Sequence, residues 1–364
     1  MKNILRQTGI IIAFFSFWYL LFLLLSYHLY PISKVIDNSR VGHSNHVRGD
    51  VLKGNIYLYD APNILLGSWL SKHNTNRIII LGASNSVKMR AAIMQKILPD
   101  FSVNHATVRG SNVTQLRNVV DVFRMSSQGS LKRTIFIINL FCGTFINNKS
   151  SMGHVVWKNK NLTYFEAEGL RYGLYKLSNN TLEPTLDPHF MPLAVHLLRP
   201  FLLGEIILYD IKLYYDNFWL SLHPSKGSPQ DSQGEEMKRA SLVEWKNAYG
   251  DIREYMEAPE MDSFISLCKE IEQSGGSVVV VELPTPSWMH GINEYYKKYI
   301  SKRQLYINKI ETIPRVRYID LATLLPPIPD ADFVDSVHPT QEEAEVWEKA
   351  ISQYVLSQRR FLGF

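Results

Sequence analysis

The sequence lacks the features that mark several large classes of protein. It has only two cysteines, Cys142 and Cys268, among 364 residues, too few for a disulfide framework or a set of zinc ligands. Its net charge of +5 is spread along the chain without a basic block, so nothing in it indicates nucleic-acid binding. No Gly-x-x-x-x-Gly-Lys phosphate loop is present, and the histidines lack the paired spacing of metal ligands. We therefore expect no cofactor, no metal and no nucleic-acid partner.

A long stretch near the N-terminus has no charged residue. Between Arg6 and Lys34 there is no Asp, Glu, Lys or Arg, and Gly9–Leu25 is almost wholly apolar. About 20 apolar residues span a bilayer, and Tyr27 and Tyr30 suit its interface with water. The sequence that follows has no clear small-residue cleavage site of the kind that ends a signal peptide. The stretch therefore predicts an uncleaved transmembrane anchor, with the bulk of the chain outside the cytoplasmic membrane.

Short apolar runs alternate with helical patterns along much of the remaining chain. The runs that start at Ile78, Val103, Thr134, Ser277 and Val316 are rich in β-branched residues. Such runs are typical of strands buried on both faces, and helical spacing between them predicts a parallel sheet covered by helices. The alternation breaks in the middle of the chain, which is rich in aromatic residues, Pro, Asn and Gly. We interpret that part as an insertion.

These patterns divide the chain into five kinds of segment. The predicted boundaries are a cytoplasmic tail (1–8), a transmembrane anchor (9–30), a stalk and leading segment (31–75), a catalytic domain in two pieces (76–147 and 262–364) and an insertion (148–261).

Three residues that together could form a serine nucleophile, its base and a supporting carboxylate lie at the two ends of the α/β pattern. Ser84 follows a predicted buried strand and Gly82, where a helical pattern begins, so helix N–H groups would stabilise an oxyanion there. The simpler alternative is that Ser84 only caps that helix. Asp335 and His338 are three residues apart before a predicted C-terminal helix. A serine nucleophile needs a base, and the base needs a carboxylate to fix its tautomer, although the same spacing also suits an ordinary polar turn.

Together these segments resemble the SGNH (GDSL-like) hydrolase superfamily. The resemblance rests on three blocks: Gly82-Ala83-Ser84-Asn85-Ser86, Asn104 through Gly110, and Asp335-Ser336-Val337-His338-Pro339. It implies a three-layer, flavodoxin-like parallel sheet, with Ser84 as the nucleophile, His338 as the base and Asp335 as its partner. An α/β-hydrolase is disfavoured, because Ser86 stands where the second Gly of Gly-x-Ser-x-Gly belongs.

The oxyanion hole implied by the resemblance is incomplete in the sequence. The backbone N–H groups of Ser84 and Gly110 would supply two donors. Many members have Asp where Ala83 stands, and the family's Gly-x-Asn-Asp block after the third strand is missing here. Asn139 and Asn147 are the two candidates for the third donor. Loss of one such donor typically costs on the order of 10²–10³ in rate.

One membrane anchor joined to an SGNH-like domain resembles accessory acyltransferases of bacterial surface glycans. Examples are the alginate acetylation proteins, the peptidoglycan O-acetyltransferases and the D-alanyl-transfer protein of teichoic acids. The resemblance implies transfer of an acyl group, with acetyl as the expected one, onto a cell-surface polysaccharide through an acyl-serine, with a membrane-bound O-acyltransferase as partner. An esterase or deacetylase with the same triad, and a non-catalytic assembly or glycan-binding protein, remain alternatives. Four aromatic residues of the insertion are candidates for a glycan-binding wall: Trp157, Tyr164, Tyr172 and Trp219.

Overall fold

The structure is a computed structural model of the chain. It describes residues 2–29, 57–70, 75–108, 110–146, 155–157, 160–162, 170, 172–178, 181–201, 215, 218, 235–253, 255–256 and 258–364.

Helices and strands alternate through the two pieces predicted as catalytic domain. The helices are α1 (Lys2–Leu29), α2 (Tyr57–Leu70), α3 (Ala91–Ile97), α4 (Val113–Ser126), α5 (Glu235–Tyr249), α6 (Ala258–Gln273), α7 (Ser287–Ile292), α8 (Glu294–Ile310), α9 (Leu321–Leu324) and α10 (Gln341–Ser357). The strands are β1 (Asn76–Leu81), β2 (Phe101–His105), β3 (Thr134–Leu140), β4 (Val155–Trp157), β5 (Lys160–Leu162), β6 (Tyr175–Ser178), β7 (Thr181–Pro184), β8 (Ser277–Glu282) and β9 (Val316–Asp320). A further helical segment covers residues 191–201.

Five strands form one parallel sheet in the order β2-β1-β3-β8-β9. The parallel α/β architecture predicted from the sequence is thus confirmed. Counting only these strands, the order is 2-1-3-4-5, which is the order of flavodoxin-like sheets. The chain reverses its direction of winding at β1, and open α/β sheets bind ligands beyond the carboxyl ends of the strands at such a point. Ser84 follows β1 directly and therefore lies at this position.

Both faces of the sheet are covered, which explains why its strands are apolar throughout. All seven residues of β3 are buried, as are all six of β8. Alternate strand residues pack into two separate apolar clusters, one on each side of the sheet. Trp347 of α10 is fully buried in one cluster. Ile64–Leu66 of α2 are fully buried in the other, so part of the predicted stalk and leading segment (31–75) belongs to the core.

The insertion also contributes to this core. Its described residues include two antiparallel hairpins, β4–β5 and β6–β7, together with α5 and the helical segment 191–201. Leu182, Met191, Val195 and Trp245 are buried in the same cluster as α2. The described part of the insertion is therefore packed against the α/β domain rather than linked to it only through its ends.

Helix α1 is long and apolar enough to cross a membrane. Its apolar stretch, Arg6–Ser26, has a mean hydropathy of 2.3, and most of its side chains are exposed, with Ser26 at its end buried. Length and composition of this kind fit a membrane span and a signal sequence equally.

A buried carboxylate lies at the carboxyl end of β8. Glu282 is 5% exposed and accepts hydrogen bonds from Tyr299 at 2.5 Å and from Tyr306 and Tyr318 at 3.3 Å each. Burial raises the pKa of Glu282 to about 7, against the opposing effects of the Tyr299 hydrogen bond and the Arg303 charge. The folded protein therefore holds a proton on Glu282 at pH values where the unfolded chain has released it.

We expect Glu282→Gln to change how stability depends on pH. Between the unfolded pKa of 4.5 and the folded pKa of about 7, the folded state binds more protons. The contribution of Glu282 to the free energy of unfolding is therefore fully present below pH 4.5 and is lost as pH rises to 7, by on the order of 3 kcal/mol. Urea unfolding at pH 5 to 8 should show that the variant lacks this decline. Glu294→Gln, at an exposed position on α8, should keep it, and an unchanged slope in Glu282→Gln would contradict the assignment.

Candidate active site

Ser84 lies on a tight turn immediately after β1. Ser84–Ser86 form a single 3₁₀ turn, and α3 begins only at Ala91. The helical pattern predicted to start at Ser84 is therefore interrupted. The interruption is caused by Arg90. Its backbone is extended, and its backbone N–H donates to the carboxylate of Glu348 on α10. The turn has no side-chain cap, so the capping role considered for Ser84 is not found.

Gly82 allows the chain to fold back at this turn. A Cβ atom at this position would lie 2.3 Å from Ser86 Oγ and 3.0 Å from Asn139 Cβ, closer than non-bonded atoms normally approach. The Gly82 carbonyl accepts hydrogen bonds from the Val108 N–H at 3.0 Å and the Ser111 hydroxyl at 3.1 Å. Gly82 thus brings the turn that carries Ser84 against the loop that carries Gly110.

We expect Gly82→Ala to destabilise the protein by about 1–3 kcal/mol, the usual cost of overpacking a buried site. Displacement of the Ser84 turn should also lower any activity that depends on Ser84. The matched control is Gly291→Ala, because no atom lies within 4 Å of the Cβ position there. Urea unfolding of both variants tests this, and equal stabilities for the two would show that the turn tolerates a side chain.

Asp335 and His338 form a compact pair on the loop before α10. The two carboxylate oxygens of Asp335 lie 2.9 and 2.7 Å from His338 Nδ1. Asp335 Oδ1 also accepts the backbone N–H groups of Val337 and His338, each at 2.9 Å. Burial alone would raise the pKa of Asp335. The charge of His338 and these hydrogen bonds outweigh burial and lower the pKa to about 2, so Asp335 stays ionised at neutral pH.

This pairing sets the tautomer of His338. Because an ionised carboxylate only accepts hydrogen bonds, Nδ1 carries a proton, and the neutral form of the ring has its lone pair on Nε2. The Nε2 atom is buried and has no hydrogen-bond partner within the described part of the chain. Buried polar atoms are rarely left in this state, and the exceptions need an explanation. A neutral imidazole with Nδ1 fixed and Nε2 unused is the form that a general base requires.

Several polar contacts hold the His338 loop against the Ser84 turn. Lys88 Nζ donates to the Pro339 carbonyl at 2.8 Å, and Gln341 Nε2 donates to the Lys88 carbonyl at 3.1 Å. Arg90 also forms an ion pair with Glu345 of α10 at 3.2 Å. The structure therefore brings together the two segments that the sequence analysis combined.

The Ser84 and His338 side chains are not hydrogen-bonded to each other in the described structure, and Ser84 Oγ has no other partner among the described residues. In free enzymes the hydrogen bonds of catalysis are often long or unformed and tighten when substrate binds. The Ser84 hydroxyl is thus available, and what the structure fixes is the orientation of its candidate base.

Two backbone donors are available beside Ser84. Gly110 has a φ of 63°, a left-handed conformation that glycine adopts without strain. Neither the Ser84 N–H nor the Gly110 N–H donates a hydrogen bond to any residue that the structure describes. Unpaired N–H groups of this kind are what an oxyanion hole needs.

His105 connects the two loops that would form the oxyanion hole. Its Nε2 lies 3.0 Å from the Ser86 carbonyl and its Nδ1 lies 3.1 Å from Thr107 Oγ1. A carbonyl only accepts, so Nε2 donates and Nδ1 accepts from the Thr107 hydroxyl. Burial lowers the pKa of His105 to about 4, which keeps it neutral. No motif or spacing in the sequence predicted this link between the two loops.

The structure describes one of the two candidates for the third oxyanion donor. Asn139 is fully buried, and its Nδ2 lies 3.3 Å from Met89 Sδ. Its amide is therefore part of the packing behind Gly82 and does not face an open site in this structure. Asn147, the other candidate, lies outside the described residues.

The insertion reaches the His338 loop through α5. Trp245 is 5% exposed, and its Nε1 donates to Ser336 Oγ at 3.2 Å. Sequence reasoning did not find this contact, since 91 residues separate the two side chains. Among the aromatic residues proposed for a glycan-binding wall, Tyr164 and Trp219 lie outside the described residues.

Comparisons with known proteins do not assign the chain to a family. No family model matches the chain, and no curated protein matches it. A solved structure described as a "putative acylhydrolase" from Bacteroides fragilis is similar, with 12% sequence identity over 84% of this chain and 97% of that chain. The TM-score is 0.37, too low to support an argument about fold or activity. The function must therefore be argued from the residues of the site.

Proposed function

We propose that this protein is a membrane-anchored, serine-dependent acyltransferase of the SGNH type, with Ser84, His338 and Asp335 as its triad. The observation that supports this most directly is the state of His338: Asp335 holds Nδ1, and Nε2 is left unpaired on a loop tied to the Ser84 turn. A purely structural histidine would gain from pairing its second nitrogen. A catalytic base must leave that nitrogen free for its proton.

The first half-reaction forms an acyl-serine. Ser84 Oγ attacks the carbonyl carbon of an acyl donor while His338 Nε2 takes the hydroxyl proton. The carbonyl oxygen becomes an oxyanion and is stabilised by the N–H groups of Ser84 and Gly110. When the tetrahedral intermediate collapses, the bond to the donor group breaks, and His338 returns its proton to that leaving group. Asp335 stabilises the imidazolium that exists between these steps.

The second half-reaction passes the acyl group to an acceptor. A sugar hydroxyl attacks the acyl-serine, and His338 takes its proton. The new ester forms as the bond to Ser84 Oγ breaks, and Ser84 Oγ recovers the proton from His338. The proposed product is an O-acylated, in the first instance O-acetylated, cell-surface polysaccharide. General base catalysis contributes roughly 10²–10⁴ in rate to each half.

The proposed setting follows from α1. With α1 as a single membrane span, the α/β domain lies on the extracytoplasmic side of the cytoplasmic membrane. The acyl donor is then supplied at the membrane, and a membrane-bound O-acyltransferase is the class of partner that could export it. The boundaries 76–147 and 262–364 for the catalytic domain, with 148–261 inserted, belong to the same proposal.

An esterase or deacetylase is the second candidate, since water can replace the sugar hydroxyl without any change in the triad. Full-length protein in lipid nanodiscs, given p-nitrophenyl acetate with and without an oligosaccharide acceptor, separates the candidates. We expect an acetyl adduct on Ser84 by mass spectrometry and acetylated oligosaccharide as the main product. Free acetate with no acetylated sugar, whatever the acceptor tested, would favour the esterase. No adduct and no turnover would favour the non-catalytic alternative.

A further inference from the structure

We propose that the helical segment 191–201, with Phe190, lies in the surface of the lipid bilayer that α1 crosses and forms a second membrane contact. The proposal goes beyond the chemistry of the Ser84 site. It rests on the proposed membrane anchoring by α1.

Segment 191–201 is apolar on two opposite faces. Its inner face packs into the core, where Met191 and Val195 are fully buried. A globular surface helix normally shows polar residues on its other side. Here the outer side carries large apolar side chains that are 46–64% exposed, spaced three, four and four residues apart: Phe190, Leu193, Leu197 and Phe201. An exposed row of large apolar side chains of this kind is typical of a surface that meets another molecule or a membrane.

Contacts with α1 indicate what that environment is. The Tyr19 hydroxyl donates to the Leu197 carbonyl at 2.5 Å, and the rings of Tyr19 and Phe201 lie 6.4 Å apart. Closer to the end of α1, the guanidinium of Arg199 donates to the Ser26 carbonyl at 3.2 Å. The C-terminal end of segment 191–201 therefore lies directly against the apolar helix.

The position of these contacts along α1 gives their depth. Ser26 ends the apolar stretch, and Tyr19 is seven residues nearer its middle. At about 1.5 Å per residue, this difference places the contacts from the membrane surface to roughly 10 Å inside it. Amphipathic helices that lie in a membrane surface bury their apolar faces by about 5–10 Å. Ile12 and Phe15, which are 60% and 66% exposed, lie deeper in the same apolar stretch of α1.

The same geometry explains how the rest of the domain is held. A single span leaves the attached domain free to tilt and rotate. A second contact through segment 191–201 fixes the domain against the bilayer, because the inner face of the segment belongs to the same apolar cluster as the sheet.

Site-directed spin labelling of the full-length protein in nanodiscs tests this directly. Labels at Leu193→Cys and Phe190→Cys are compared with Leu305→Cys, which is 59% exposed on α8, and with Ile12→Cys on α1. The native Cys142 and Cys268 are buried, and a labelled wild-type sample corrects for any reaction there. Collision rates with oxygen, which concentrates in lipid, and with a water-soluble nickel chelate give the environment of each label.

We expect Leu193 and Phe190 to resemble Ile12, with an oxygen-to-nickel collision ratio several-fold above that of Leu305. A ratio at Leu193 equal to that at Leu305 would place the segment in water and overturn the proposal. Suppressed collision with both reagents, together with spin–spin broadening, would show that a second copy covers the face, and would overturn it equally. If Ile12 itself behaves like Leu305, the membrane anchoring fails, so the two failures can be told apart.

Discussion

Replacing Ser84 by alanine is expected to abolish acyl turnover, lowering kcat by on the order of 10⁴-fold or more. Removal of a serine nucleophile leaves only the contribution of binding and of the oxyanion donors. The loss should appear in both readouts: no acetyl adduct after incubation with p-nitrophenyl acetate, and no acetylated acceptor. Because the Ser84 hydroxyl makes no hydrogen bond to the described residues, the variant should unfold at the same urea concentration as the wild type.

The matched control is Ser86→Ala, two residues further along the same turn. Ser86 is fully buried, and its backbone carbonyl, which the variant keeps, accepts from His105, whereas its hydroxyl makes only a long hydrogen bond of 3.4 Å to Asn85 Oδ1. This variant should keep its activity within a few-fold and should still form the adduct. Full activity of Ser84→Ala would remove Ser84 from the mechanism. An adduct that maps to another serine would do the same.

The second large effect is expected for Asp335→Asn, with kcat/KM reduced by roughly 10³–10⁴. An amide at this position can donate to Nδ1 of His338, which moves the ring proton to Nε2 and leaves no lone pair facing the nucleophile. The Asn Oδ1 can still accept the backbone N–H groups of Val337 and His338, so the loop should keep its shape. The variant therefore tests the tautomer rather than the fold.

The pH profile and a neighbouring aspartate provide the control for this prediction. Asp332 contacts the loop through its backbone carbonyl, which accepts the Thr340 N–H, so Asp332→Asn should retain activity. In the wild type, the pH profile of kcat/KM should show no loss of activity from protonation of Asp335 until pH approaches 2, where the pKa of that carboxyl lies. Equal activities of the two asparagine variants would show that the Asp335–His338 pair is only a structural turn.

The sheet was predictable from the sequence because its strands are buried on both faces. A strand such as β8, with four consecutive valines, has no polar face that could be confused with a loop or a surface helix. The Asp335–His338 pair was predictable for a related reason. Its carboxylate, ring and backbone N–H groups meet within one turn of chain, so local spacing alone determines their contact.

Features that depend on distant parts of the chain were not predictable. The start of α3 at Ala91 depends on Glu348, 258 residues from Arg90, whose carboxylate accepts the backbone N–H of the extended Arg90. The contact of Trp245 with Ser336 depends on how the insertion packs, and no periodic pattern records it. The exposed apolar row of segment 191–201 was not predicted, because a sequence does not show which faces of a short helix are covered.

The two halves of the candidate site, the Ser84 turn and the His338 loop, are synthesised at different times. Lys88 and Pro339, whose contact joins them, are 251 positions apart in the chain. A ribosome adding about 5–20 residues per second produces the Ser84 turn more than ten seconds before the His338 loop. In the proposed mechanism, Ser84 has no base during that interval and cannot form the acyl-serine. The same split means that displacement of the His338 loop from the Ser84 turn in a finished molecule would remove the base, so acylation would report on that one contact.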